Sequence, residues 1–199
     1  MTPAARAAAA IAALDRVLAG EAAEKVLTLW GRGARYAGSG DRAAVRDVVY
    51  DCLRCKRSFA ALGGGMTGRG LVLGAARAAG TEALWFDGSS HGPAVAADAP
   101  GRAPEGLEAL DCPDWLAPRL QAALAEDFAP VMQALRSRAP VFLRVNAAKA
   151  TVNEAIAALA AEGIAARPHT LADGALEVTA NARKIQHSGA YGQGLVELQ

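Results

Sequence analysis

Two short motifs in this 199-residue chain have residue types and spacings that suggest chemistry. Cys52-Leu53-Arg54-Cys55 is a C-x-x-C pair. Structural zinc requires four ligands, and only Cys112 and the distant His91, His169 and His187 remain as donors. A redox pair of this kind follows a strand in a thioredoxin-like unit, whereas here the surrounding pattern is helical. Both cysteines lie on one apolar stripe with Val45, Val48, Val49, Phe59 and Leu62, at three- and four-residue steps. That periodicity places them in a core. The run from Gly63 to Gly68 formally matches G-x-G-x-x-G. Nucleotide loops of that form follow a strand, and Arg69-Gly70 stand where a Walker loop carries Lys-Ser/Thr. A helix precedes these glycines, so they read as a helix stop and hinge. No nucleophile, base and acid occur in contexts that would assemble a hydrolytic site.

The opposite face of the same helix is more informative. Arg42, Arg46, Tyr50, Arg54 and Arg57 recur at three- and four-residue steps, with Lys56 beside them. Such a cationic ridge neutralises phosphates, and Tyr50 is a surface on which a base can stack. The competing reading is a solvated helix face, because Asp47 and Asp51 interleave and can pair with the arginines.

The elements that would position these residues are mainly helical. Fifty residues are alanine and aromatics are only 5%, so the chain is apolar by number (52%) but light in side-chain volume. Alanine favours helix. Thr2-Pro3 is a capping hydroxyl followed by a first-turn proline, and helices are expected over about 3–19 and 21–30. Ser39 or Asp41 would cap a third, running unbroken to about Leu62. Further helices are expected over about 67–79, 81–86 and 113–138, the last broken at Pro118 and Pro130. Residues 87–106 read as a long loop.

The pattern changes at Pro140. Val141 to Asn146 alternates, with Leu143 and Val145 on one side and Phe142, Arg144 and Asn146 on the other. Thr151 and Glu154 form a capping box opening a helix that ends at Gly163. Strands are expected at about 164–170, 175–179 and 195–198, with a short helix near 182–187. This β-α-β-β-α-β order is the ferredoxin-like or RRM-like plan. In such a sheet the open face binds RNA through aromatics. Phe142 suits that role, but Leu176, Glu177 and Val178 offer it no aromatic partner, so the face alternatively packs on another domain.

Net charge is +1, yet residues 1–80 carry 12 Lys/Arg against 6 Asp/Glu, residues 81–139 carry 4 against 9, and residues 140–199 carry 5 against 5. A basic segment followed by an acidic one suits either a polyanion partner or internal pairing. Three cysteines do not make a secreted disulfide framework. No charge-free apolar run reaches the ~18 residues of a membrane span. The Ala-rich start is interrupted by Asp15 and Arg16 and is amphipathic, unlike a signal peptide. A cytoplasmic protein with no membrane partner is expected.

Four segments carry a family resemblance. SGDRAAVRDVVYDCLR (39–54) resembles the NusB-like helical domain that opens the Sun/RsmB-type rRNA cytosine-5 methyltransferases. CPDWLAPRL (112–120) resembles their P-x-W-L…R-L helix, and RAPVFLRVN (138–146) their R-x-P-x-x-L-R-x-N strand. GLVELQ (194–199) resembles the strand that precedes their catalytic domain. The resemblance spans essentially the whole chain in order. It implies a mainly α NusB-like helical bundle over 1–135 that binds RNA. It also implies a small ferredoxin/RRM-like α+β subdomain over 140–199, preceding a methyltransferase domain. That further domain would bind S-adenosylmethionine and supply the catalytic cysteines, so no catalytic, cofactor or metal residue is expected in this chain. The implied partners are rRNA and the chain's own C-terminal methyltransferase domain. The expected RNA contacts are Arg42, Arg46, Tyr50, Arg54 and Arg57 on the ridge, and Arg144 and Asn146 on the sheet face or junction. The parent is expected to be an enzyme, and this chain alone to transfer no methyl group. The region 87–106 departs from the family in lacking the regular helices of a complete bundle. The alternative function is a stand-alone, non-catalytic NusB-like adaptor for RNA or protein.

Overall fold

Thr2 opens the first helix as expected. Its side chain accepts the Ala5 N–H at 3.1 Å, and Pro3 occupies the first helical position of α1 (Pro3–Leu18). The computed structural model describes residues 1–94 and 100–199, which divide into two compact units, Met1–Arg138 and Ala139–Gln199. Of the loop expected at 87–106, residues 95–99 lie outside the described residues.

In the first unit, α1 is followed by α2 (Ala23–Gly33), α3 (Ser39–Arg54), α4 (Lys56–Gly63), α5 (Gly68–Ala78) and α6 (Glu82–Trp85). Later come α7 (Gly106–Ala109), α8 (Ala117–Leu124) and α9 (Phe128–Leu135), the last two joined by one 3-10 turn. The core is thin-walled. Ala7, Ala10, Ala13 and Leu14 of α1 meet Val45, Val49 and Cys52 of α3 and Leu71, Val72 and Leu73 of α5. With methyl-sized side chains on one partner, helix backbones approach closely, and small volumes still fill the space. A satellite cluster of Cys112, Ala117, Phe128 and Met132 closes the far end of the unit.

Three local expectations are corrected. The helix predicted to run unbroken to Leu62 breaks at Cys55, where φ is −107° and ψ is 37°. Asp111 is the cause: its carboxylate Oδ1 accepts the backbone N–H groups of both Arg57 and Ser58, each at 2.8 Å, and so caps α4 from a distant segment. Gly38, not Ser39 or Asp41, is the N-cap of α3. Asp41 instead lies in the first turn and its carboxylate accepts the Gly38 N–H at 3.2 Å. Pro118 and Pro130 do not break helices. Pro118 sits in the opening turn of α8 and Pro130 in that of α9, where no intrahelical N–H is required. The break falls instead at Ala125, whose φ is +47°.

The Gly63 to Gly68 run is a tight turn between two packed helices. Gly64 takes φ +84° and ends α4, and Thr67 caps α5 by accepting the Gly70 N–H at 3.0 Å. A Cβ on Gly63 would lie 1.8 Å from the Gly70 carbonyl oxygen, and one on Gly74 would lie 1.9 Å from that of Phe59. These glycines let α4 and α5 touch backbone to backbone.

The second unit is a four-stranded antiparallel sheet, β1 (Val141–Val145), β2 (Ala165–Pro168), β3 (Ala175–Ala180) and β4 (Val196–Leu198), in the order β2-β3-β1-β4. The intervening helices are α10 (Val152–Ala161) and α11 (Gly189–Gly192), the latter preceded by a 3-10 stretch over Ala182–His187. Thr151 and Glu154 form the expected capping box of α10. Leu143, Val145, Leu176, Val178 and Val196 point to one face and bury against Ala155, Leu159 and Ile164. The helices therefore cover one face and leave the other open, the ferredoxin-like arrangement.

Candidate nucleic-acid interface

The expected ridge divides into members that differ in their commitments. Arg46 is held by both carboxylate oxygens of Glu24 on α2. Arg54 donates to Asp51 one turn back at 2.6 Å. Arg42 is exposed, and among the described residues its side chain donates only to the Ala34 carbonyl, at 3.4 Å. Tyr50 is half-buried, with its ring against the helical core. Arg57 lies beyond the Cys55 break, on α4. It donates to the Cys112 carbonyl and to both oxygens of Asp114 at 3.0 Å, so it clamps the 112–114 segment.

That clamp adjoins a polar hub that sequence reasoning missed. Asp111 takes the left-handed conformation (φ +53°), and its side chain is only 4% exposed. Besides the two amides already named, Oδ2 accepts the Ser58 hydroxyl at 2.7 Å and Arg136 Nε at 2.8 Å. Arg136 also donates to the buried Ser58 Oγ at 3.2 Å. The hub thus ties α4, the 111–114 loop and the end of α9. The one available signal was the acidic residue before the Cys112-Pro-Asp-Trp motif.

On the open face of the sheet, Arg144 of β1 is exposed and pairs with Glu197 of β4 at 2.5 Å. Across β3, Arg167 pairs with Glu177 at 2.7 Å. Asn146 is committed to the backbone: its amide donates to the Gly194 carbonyl at 3.2 Å, and its oxygen accepts the Ala148 N–H at 3.1 Å. Phe142 does have a ring partner on this face. The His169 ring stands edge-on to it, with centroids 5.0 Å apart. Together with Arg144 and Leu171 they line a cavity of about 360 Å³.

The remaining motifs carry no chemistry. Cys52 and Cys55 are buried in the helical unit, and burial pushes the Cys52 thiol up to about 12 and raises that of Cys55 as well. Both are therefore protonated and unreactive at neutral pH. No cluster of His, Cys, Asp or Glu among the described residues is arranged to hold a metal. No helix among them is long and apolar enough to cross a membrane.

Comparison with known proteins bears on the second half of the chain. Residues 112–185 match the family model for the ferredoxin-like domain of RsmF/B-like methyltransferases. This segment is similar to the RsmF/B-like ferredoxin-like domain. The match begins at the Cys112-Pro-Asp-Trp stretch held by Arg57 and ends at buried Ile185. The crystal structure of PH0851 is similar over 100% of this chain, with a TM-score of 0.56 and 15% identity. At that identity the likeness concerns fold alone. The chain spans about half of that structure, 53% of its length. The search of curated proteins returns no match. The segment similar to that domain follows a helical region, and the two together share their fold with part of a longer protein.

Proposed function

We propose that this chain is the RNA-gripping part of an S-adenosylmethionine-dependent rRNA cytosine-5 methyltransferase. In this reading the helical region is of the NusB type, and methyl transfer belongs to a further, catalytic domain. The observation that carries it is the RsmF/B-like match at 112–185.

The residues present do not fit S-adenosylmethionine. The backbone N–H groups of the glycine turn are already used: Gly65 donates to Ala60, Gly68 to Asp15 Oδ1 at 2.7 Å, and Gly70 to Thr67. The buried thiols are not nucleophiles. No step through the cofactor is assigned to this chain.

Its residues can grip a backbone instead. The pairs Arg46–Glu24, Arg54–Asp51 and Arg144–Glu197 are all solvent-accessible, and exposed pairs contribute only about 0–1 kcal/mol. A phosphate can therefore replace the carboxylate at little cost. Arg57 and Asn146, committed to local backbone, position the 112–114 loop and the β1 exit. Tyr50 seats α3 on the core. The two exchanges on the helical unit, at Arg46 and Arg54, give a log–log salt slope of about −1.4 for single-stranded RNA.

Filter binding of the chain to rRNA over a salt series tests this. The expected result is affinity that falls with that slope, and a tenfold loss on Arg46→Glu with Arg54→Glu. Salt-independent binding would overturn the grip. Methyl transfer by the isolated chain in a tritiated-methyl assay would overturn the division of labour.

A further inference from the structure

The cations of the helical unit differ in whether a carboxylate already neutralises them. Those along α3 toward its C-terminus are paired. Where α2 gives way to α3 they are not: the side chains of Arg32 and Arg35 are exposed and make no hydrogen bond or ion pair among the described residues. Arg42 joins them. Its stem lies along the last turn of α2, where a Cβ on Gly31 would meet Arg42 Cδ at 3.7 Å, and its guanidinium reaches the Ala34 carbonyl. Three guanidinium groups with no carboxylate partner thus surround the end of one helix. They exceed what is needed to offset the partial negative charge of about half an electron at a helix C-terminus.

Trp30 and Tyr36, close in sequence to Arg32 and Arg35, line an apolar cavity of about 780 Å³. Its floor is the outward face of α1, Ala5, Ala8 and Ala12, and its walls include Trp30, Tyr36 and His91. Tyr36 is 73% exposed. A methyl-lined floor between ring-bearing walls accepts flat groups, and arginines close in sequence to those walls attract anions. Unpaired bases on a phosphate chain present both features, whereas the bases of a duplex are stacked and hidden.

We infer that the α2–α3 corner seats single-stranded RNA, with a base against Tyr36 and Trp30 and phosphates on Arg32, Arg35 and Arg42. This rests on the RNA-binding reading above and adds a site to it.

Fluorescence anisotropy of the full chain with a short, unstructured, fluorescein-labelled RNA tests the inference. Tyr36→Ala should weaken binding about fivefold or more without changing the salt slope, and Tyr36→Phe should restore it. Arg32→Glu with Arg35→Glu should weaken it at least tenfold and reduce the slope by about 1.4. Unchanged circular dichroism would establish that the exposed-site variants fold. Three results would overturn the inference. In the first, RNA binds and the Arg46/Arg54 variant weakens it, but the corner variants do not. That removes the corner and leaves the ridge. In the second, a duplex of the same sequence competes as well as the single strand. In the third, the wild-type chain binds no RNA at low salt, which removes the RNA-binding reading and the corner with it.

Discussion

Replacing Asp111 by Asn tests the account of the polar hub directly. The wild-type carboxylate accepts four hydrogen bonds: from the Arg57 and Ser58 amides at 2.8 Å each, the Ser58 hydroxyl at 2.7 Å and Arg136 Nε at 2.8 Å. Asn keeps the left-handed backbone that residue 111 requires (φ +53°), because short polar side chains tolerate that region. It also keeps one carbonyl oxygen, which can retain the two amides. What it loses is the charge and the second acceptor. Arg136 then faces an amide NH₂, and the buried Ser58 hydroxyl is left with the Cys55 carbonyl at 3.2 Å as its acceptor. Removing one partner of a buried ion pair costs about 3–5 kcal/mol. Arg136 is 23% exposed and can draw on water, so about 2–3 kcal/mol is expected for Asp111→Asn. Asp111→Ala loses the amide acceptor as well and adds about 1–2 kcal/mol of left-handed strain. The assay is urea unfolding followed by circular dichroism, with amide exchange at Arg57 and Ser58. A double-mutant cycle with Arg136→Met should give a coupling of at least about 1 kcal/mol. Stability within about 0.5 kcal/mol of wild type, unchanged exchange and no coupling would together refute the hub.

Gly74→Ala should destabilise the helical unit by at least about 2 kcal/mol, because its Cβ would lie 1.9 Å from the Phe59 carbonyl oxygen, while Gly40→Ala, with open space around it, should stabilise by about 0.5–1 kcal/mol. Thermal unfolding of the two variants should give shifts of opposite sign. Cys52 should resist alkylation in the native protein and react on unfolding; rapid native labelling would contradict its placement. Its folded pKa of about 12 lies above the ordinary 9.0, so its contribution to stability is present below 9.0 and is lost as pH rises toward 12. Thr151→Ala should cost about 1 kcal/mol through loss of the α10 cap. The Thr151 amide and hydroxyl hold the Glu154 carboxyl below its ordinary range, so its contribution is present above that range and fades as pH falls through it; a flat acid limb would contradict this.

Features that depend on neighbours in sequence were legible, and those that depend on distant partners were not. The Thr2-Pro3 start and the Thr151–Glu154 box are local chemistry. The alternation of Leu143 and Val145 against Phe142 and Arg144 follows from the strand period alone. The break at Cys55 depends on Asp111, whose reach to Arg57 and Ser58 no helical periodicity contains. The glycines at 63 and 74 punctuate the sequence, but their reason is the backbone contact of two helices. On the ridge, the Asp51–Arg54 pair was readable from spacing, whereas Glu24 reaches Arg46 only once α2 packs beside α3. His169 meets Phe142 only because the β2–β3 hairpin sets its register. The acidic excess over 81–139 partly resolves into Asp111 and Asp114, which hold Arg136 and Arg57.

The hub also sets an order of events during synthesis. Ser58 and Arg136 are 78 residues apart, so at about 5–20 residues per second the ribosome supplies the second guanidinium roughly 4–16 s after the hydroxyl it will meet. The alanine face of α1 and the close pair α4–α5 need no core partner beyond Phe86 and can assemble in that interval. The N-terminal end of α4 then waits with two amides unclaimed, and closes only when Asp111 and, last, Arg136 arrive. The helical unit is completed from its C-terminal edge, which makes the final turn of α9 the latch on an assembly otherwise built in chain order.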